Sequence, residues 1–163
     1  MPCDLRVICK ELRQIGMQEE TPVGREKLND ALLSKWDGVR VSAAKALARW
    51  GDARSVRDLK ELLTEVAADP RRVSMTSAVA SLLTPHLQHQ DLDWAIDLFV
   101  HRSRRRNRPF VGGLFRAFPP NEVRDRLKAQ KLHGGTAERD VKAQIAIAER
   151  RAFTTTGSKQ SQQ

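Results

Sequence analysis

Residues 33–52 constrain the fold of this chain more than any other part of the sequence. They predict the end of one helix, a tight turn, a second helix of about a dozen residues and a glycine stop. In the second helix the apolar residues recur at a spacing that places them on one face: Val39, Ala43, Ala46, Leu47 and Trp50. The adjacent alanines at 43 and 44 allow a neighbouring helix to approach closely. The segment therefore predicts helices packed against one another in layers.

The same segment resembles a known repeat family. The residues that carry the resemblance are Val39-Arg40, Ala43-Ala44, Ala46-Leu47 and Gly51-Asp52. With them the chain resembles the HEAT and HEAT-like (PBS-lyase-type) helical repeats, most clearly over residues 25–84. The resemblance implies an all-α fold, a short α-solenoid of about four stacked helical hairpins. We expect a single domain over residues 1–153 and a disordered polar tail over 154–163.

Apolar spacing and Gly/Pro breaks extend the helical prediction along the chain. Pro70 is expected to open the fifth helix, because proline suits the first helical position. The predicted core residues are Val39, Ala43, Leu47, Leu59, Leu62, Leu63, Val79 and Leu82. The predicted helices cover residues 4–17, 25–36, 39–50, 55–68, 70–83, 91–103, 110–118, a stretch after Pro119-Pro120-Asn121, and 136–153.

Arg40 occupies the position at which the repeat family carries an arginine that bridges layers. The resemblance therefore implies a structural role for Arg40, with Asp37 or Asp52 as its partner. The sequence departs from the family pattern at two points. Ser34 stands where an acid is common, and Ser74 stands where the second repeat would carry its arginine.

Composition and the N-terminal sequence bear on the cellular compartment. The chain has 163 residues, of which 40% are hydrophobic and 30% charged, a balance typical of soluble domains. Charged residues interrupt the first apolar stretch, and no stretch is long enough for a membrane span. Helical spacing separates Cys3 from Cys9, which disfavours a disulfide between them. We expect a cytoplasmic monomer without a membrane contact.

Charge is unevenly distributed along the chain. Residues 1–100 carry a formal charge of −1 and residues 101–163 carry +10, which together give the net charge of +9. Residues 101–118 contain six arginines and no acid, and clustered guanidinium groups bind phosphates and acidic proteins. The alternative is a solvated helix end, where the helix dipole favours cations. The predicted partner- or phosphate-binding residues are Arg102, Arg104, Arg105, Arg106, Arg108 and Arg116.

Other residues carry weaker signals. His86 and His89 are too isolated to predict a metal site, and we expect neither a metal nor another cofactor. The phenylalanines at 110, 115 and 118 are predicted to pack in the core. The tryptophans are predicted to pack within hairpins, although one exposed in a groove would anchor a partner: Trp36, Trp50 and Trp94.

These observations predict a non-enzymatic interaction module. It would bind a protein partner through its groove, and an anionic partner through its basic C-terminal half. The alternative is a nucleic-acid-binding protein, including an enzyme similar to the HEAT-like alkylpurine DNA glycosylases. That resemblance implies an acidic and an aromatic residue on the concave face, for which Asp91, Asp93 and Trp94 are the candidates. The related phycobilin lyases would need a chromophore pocket that the sequence does not reveal.

Overall fold

The computed structural model describes residues 2–132 and 135–160, and these residues form helices and turns without a strand. The all-α prediction is therefore confirmed. The α-helices of the described residues are α1 (Pro2–Ile15), α2 (Pro22–Leu32), α3 (Asp37–Trp50), α4 (Ala53–Ala67), α5 (Val73–Leu83), α6 (Leu92–Asp97), α7 (Arg108–Val111), α8 (Pro120–Lys128) and α9 (Thr136–Gln160).

Helix α3 ends where the sequence predicts. Gly51 adopts a left-handed conformation with φ 64°, and its N–H donates to the Leu47 carbonyl at 3.0 Å. Only glycine takes this conformation at low cost, so the helix stops after Trp50. A Cβ at this position would also lie 2.9 Å from the His86 ring. Both the backbone conformation and the close approach of His86 therefore require a glycine at the end of α3.

Helix α3 lies at the centre of the N-terminal half and packs against α1, α2, α4 and α5. At Gly16, just after α1, the backbone approaches α3 so closely that a Cβ would lie 2.6 Å from Ala46. The buried apolar residues form one cluster that runs from Leu12 in α1 to Ala148 in α9. Seven of the eight predicted core residues belong to this cluster, and the eighth, Leu82, is partly buried and packs against it.

The predicted start of the fifth helix is wrong. The Asp69 carboxylate accepts a hydrogen bond from the Arg71 backbone N–H at 2.9 Å, which holds Pro70 in a turn. Helix α5 begins only at Val73. The sixth predicted helix is confirmed in outline, because α6 continues through a wider π-type turn over Leu98–Arg102. Ser103 ends it, with its backbone N–H and its hydroxyl both donating to the Leu98 carbonyl.

The C-terminal elements follow the predicted order. Helix α7 leads into a 3-10 segment over Gly112–Ala117, and α8 begins at Pro120. Helix α9 packs along α8 and continues past Phe153 to Gln160. Its last turns therefore occupy residues that the sequence assigns to a disordered tail, and residues 161–163 lie outside the described residues.

The tryptophans divide into two groups. Trp50 and Trp94 are partly buried against the core, as predicted. The indole N–H of Trp50 donates to the Gln18 carbonyl at 3.0 Å. Trp36 does not pack within a hairpin, because it precedes α3 in a short connection and is 50% exposed. The predictions for Phe115 and Phe118 are confirmed by their burial, whereas Phe110 is exposed.

Candidate functional site

Asn107 holds the arginine-rich loop, residues 102–108, against the end of α4. Its side chain is fully buried, and its amide nitrogen lies within hydrogen-bond distance of three backbone carbonyls. The distances are 3.2 Å to Val66, 3.0 Å to Ala67 and 2.8 Å to Asp69. These carbonyls lie at the C-terminal end of α4 and directly after it, where the helix no longer supplies its own i+4 donors. The arginine-rich loop is therefore anchored to α4 by the buried Asn107 side chain.

Three of the six predicted binding arginines have structural partners. Arg102 pairs with Asp97 at 2.7 Å. Arg104 donates from its side-chain Nε to the Ala68 carbonyl at 3.2 Å. Arg108 is largely buried and pairs with Asp140 at 3.0 Å. These three side chains therefore contribute contacts within the fold, and their predicted role in binding stays a prediction.

The other three arginines are available for a ligand. Arg105, Arg106 and Arg116 are exposed, and their guanidinium groups make no ion pair or hydrogen bond within the described residues. Arg116 lies apart from the loop in sequence and lines two shallow clefts of about 280 and 370 Å³ between the 3-10 segment and its neighbours. Arg105, Arg106 and Arg116 therefore differ from the other three predicted arginines in having no partner for their guanidinium groups among the described residues.

Arg40 has a different partner from either predicted residue. It is buried in α3, and its Nη2 lies 2.6 Å from a Glu65 carboxylate oxygen in α4. Asp37 instead pairs with Arg72, and Asp52 pairs with Arg25, each at 2.7 Å. The two acids expected for Arg40 are therefore occupied.

Arg25 is the centre of a second network, which joins α2 to the start of α4. It bonds Glu20 through Nε and Asp52 through Nη2, and its guanidinium carbon lies 5.1 Å from the centre of the Trp50 ring. Burial would raise the pKa of Asp52, but hydrogen bonds from Ser55 and Arg25 outweigh it and hold that pKa well below its ordinary value.

Asp58 stands at the edge of this network with a looser contact. Its Oδ2 lies 3.7 Å from Arg25 Nη1, beyond hydrogen-bond distance. Burial raises the pKa of the Asp58 carboxyl, and the neighbouring Arg57 and Arg25 offset only part of that effect.

Between α2 and α4 lies a cleft of about 300 Å³ that the sequence did not predict. It meets a second cleft of about 600 Å³ at Asn29, and together we call them the α2–α4 cleft. Six carboxylates and three guanidinium groups line it, a formal balance of −3 in a chain of net charge +9. Its lining includes Asn29, Leu33, Arg40, Asp58, Glu61 and Glu65.

Four buried polar atoms in residues that line this cleft have no hydrogen-bond partner among the described residues. Buried polar groups are nearly always paired, so such a concentration is unusual. The atoms are Arg25 Nη1, Asn29 Oδ1, Arg40 Nε and Asp58 Oδ2.

A signal for this cleft is present in the sequence. Asp58, Glu61 and Glu65 recur at intervals of three and four residues, which places them on one face of α4. The facing side of the cleft carries Asn29 and Leu32 of α2, and Leu33 directly after that helix. Each set alone resembles an ordinary solvated helix face, and the two form one surface only because α2 and α4 both pack on α3.

The glycosylase candidates have partners of their own. Both oxygens of Asp91 are engaged, one by Lys60 and the other by the Gln88 backbone N–H at 2.8 Å. Asp93 pairs with Arg126 at 3.1 Å. Lys60 also lies 5.0 Å from the centre of the Trp94 ring.

Comparison of the chain with models of known protein families, with curated proteins and with solved structures finds no match. The resemblance to HEAT-like repeats therefore stays a prediction. Among the described residues, no group of three histidine, cysteine or acidic side chains is placed to hold a metal ion. In the same part of the chain, no helix combines the length and the apolar character needed to cross a membrane.

Proposed function

We propose that this protein is a non-enzymatic interaction module, a HEAT-like scaffold that holds a protein partner in the α2–α4 cleft. The order of helix packing supports the scaffold, because α1 packs on α3 and α3 packs on α5, while α2 and α4 follow as the second helices of successive hairpins. A stack of this kind places every second helix on one surface. A cytoplasmic location and a monomeric state stay predictions.

The observation that carries the proposal is that four buried polar atoms in residues lining the cleft make no hydrogen bond within the described residues, although two of them, Arg25 Nη1 and Asp58 Oδ2, lie 3.7 Å apart. A buried donor or acceptor without a hydrogen bond destabilises the free protein. Arg40 is the clearest case, because its side chain is 5% exposed and its Nε–H has no acceptor in the part of the chain that the structure describes. A partner that moves the exposed Glu65 side chain aside would supply the missing acceptor.

An exposed apolar side chain in the cleft and another nearby in sequence favour a protein over a small solute. Leu33 lines the cleft and is 83% exposed, and Trp36 follows three residues later in the same connection. Exposed leucine and tryptophan side chains this close in sequence are the type of anchor that protein interfaces bury.

The test is partner capture with a matched pair of variants. Leu33→Asp should abolish binding of a partner captured from the native source and then confirmed with the purified pair. Val7→Asp is the control, because Val7 is also an exposed aliphatic residue but lies on α1. Equal loss of binding in both variants, or in neither, would contradict the proposal. Thermal melts should show that both variants remain folded.

A second candidate, binding of a polyanion by the arginine-rich loop, is supported by Arg105 and Arg106. Their exposed guanidinium groups lack partners within the described residues, and Asn107 holds the loop in place. The variant Arg104→Ala/Arg105→Ala/Arg106→Ala should weaken DNA or RNA binding at about 50 mM salt and lower the salt dependence by about two units, one for each of the two free arginines. No gel shift by the parent protein under these conditions would remove this candidate.

A further inference from the structure

We infer that the α2–α4 cleft takes an extended polypeptide segment that presents a lysine or arginine side chain, an inference that rests on the proposed function. Three features of the cleft point to it: acids without an ion pair, leucine side chains, and buried polar atoms without a hydrogen bond among the described residues. Each feature is complementary to a different part of such a segment.

The acids of the cleft select a basic side chain. Glu26, Asp30 and Glu61 line the cleft and make no ion pair within the described residues. The guanidinium groups of Arg25 and Arg40 are already engaged by other acids, and Arg54 is the one further cation of the lining, against these three acids. The cleft therefore keeps an excess of negative charge, which is complementary to a cation and repels an acidic segment.

The walls select a long aliphatic stem. Leu32, Leu33 and Leu62 line the cleft beside Glu61 and Glu65. Lysine and arginine bury their methylene groups along apolar surface while their charged ends reach a carboxylate. Leu32 and Leu62 are already buried, so a small inorganic cation would leave the exposed Leu33 side chain uncovered.

The unpartnered polar atoms select an extended backbone. Arg40 Nε offers a donor and Asn29 Oδ1 an acceptor, and both residues line the same cleft. An extended segment carries free C=O and N–H groups that match these two atoms, whereas a helix uses its own internally. This pairing is separate from the preference of the acids for a basic side chain, because it involves the Arg40 guanidinium N–H and the neutral Asn29 amide oxygen and no carboxylate.

The test uses a fluorescein-labelled, end-capped hexapeptide of alternating lysine and leucine, together with the same peptide carrying glutamine or glutamate in place of lysine. Fluorescence anisotropy should show binding of the lysine peptide at least about tenfold tighter than of the glutamine peptide, the result of several charge contacts. The glutamate peptide should not compete with the lysine peptide for the cleft.

Variants of the cleft locate the binding. Glu61→Gln and Asp30→Asn each remove an acid without an ion pair, so the fold should be unchanged and the affinity for the lysine peptide should fall about two- to fivefold. Glu138→Gln is the control, because it removes an acid on α9, outside the cleft, that pairs with Lys142. The Glu138→Gln variant should bind the lysine peptide with the same affinity as the parent protein.

The outcomes separate this inference from the proposed function. Equal binding of the lysine and glutamine peptides, or no effect of Glu61→Gln and Asp30→Asn, overturns the inference. If the peptide test fails but a partner is still captured in a Leu33-dependent manner, the proposed function survives. If the peptide test fails and no partner is captured, the inference and the proposed function both fail. Self-association in sedimentation velocity that is lost in Glu61→Gln would assign the cleft to a second copy and overturn the inference of a separate partner.

Discussion

Replacement of Asn107 tests how firmly the arginine-rich loop is attached to the fold. The amide nitrogen has two hydrogens and faces three carbonyls at the end of α4, so one hydrogen is shared between two carbonyls and the other bonds the third. Asn107→Ala removes these donors, although each carbonyl keeps a backbone donor: Asp69 N–H for Val66, Arg104 N–H for Ala67 and Arg72 N–H for Asp69. Two lost hydrogen bonds and the small cavity together should lower the free energy of unfolding by about 2–4 kcal/mol.

A second substitution at the same site separates the amide donors from the packing. Asn107→Asp keeps the shape of the side chain but replaces the amide donors with oxygen that faces three acceptors. We expect a loss larger than that of Asn107→Ala at pH 7, because a buried carboxylate without a cation is strongly unfavourable. The loss should shrink as the pH falls, since protonation removes the charge.

Urea denaturation followed by circular dichroism at pH 7 and pH 5 measures both variants. For a chain of this size a loss of about 3 kcal/mol corresponds to a fall in Tm of about 6–12 °C. Equal stability of Asn107→Asp and the parent at pH 7 would refute the reasoning, because it would mean that the amide nitrogen is not the group that holds the loop.

Three further predictions concern the helical core. Gly16→Ala should lower the free energy of unfolding by about 1–3 kcal/mol, because the new Cβ would lie 2.6 Å from the Ala46 backbone. Gly38→Ala should raise the free energy of unfolding by about 0.5–1 kcal/mol, because its new Cβ meets no atom within 4 Å and alanine is the better helix former. Urea denaturation of the two variants should therefore give opposite signs. Asp52→Asn keeps the helix cap but removes the charge beside Arg25, and should cost about 1–2 kcal/mol at pH 7, allowing for partial exposure of the pair. Because the pKa of Asp52 is lowered in the folded state, its contribution is present above about pH 4 and is lost as the pH falls, so the variant and the parent should converge in acid.

The sequence predicted those features that depend on neighbouring residues. The end of α3 at Gly51 follows from local backbone chemistry, and the core positions Val39, Ala43 and Leu47 follow from helical spacing. Pro70 shows the limit of local rules, because the competing hydrogen bond from Arg71 to Asp69 delays the start of α5.

Features that depend on contacts between distant segments could not be predicted. Glu65 lies 25 residues after Arg40, and Asp140 lies 32 residues after Arg108, so neither partner is visible from spacing alone. The α2–α4 cleft was missed for the same reason. Two polar helix faces become one acidic surface only when α3 holds the two helices side by side.

The attachment of α9 has a consequence for local unfolding. Its buried apolar contacts among the described side chains come from Val141 and Ala148, and the ion pairs Arg108–Asp140 and Lys128–Glu149 tie it to α7 and α8. A helix held by so few buried residues opens more readily than one at the centre of the core. Backbone amides of α9 should therefore exchange with deuterium sooner than those of α3, and added salt should widen the difference by screening the ion pairs.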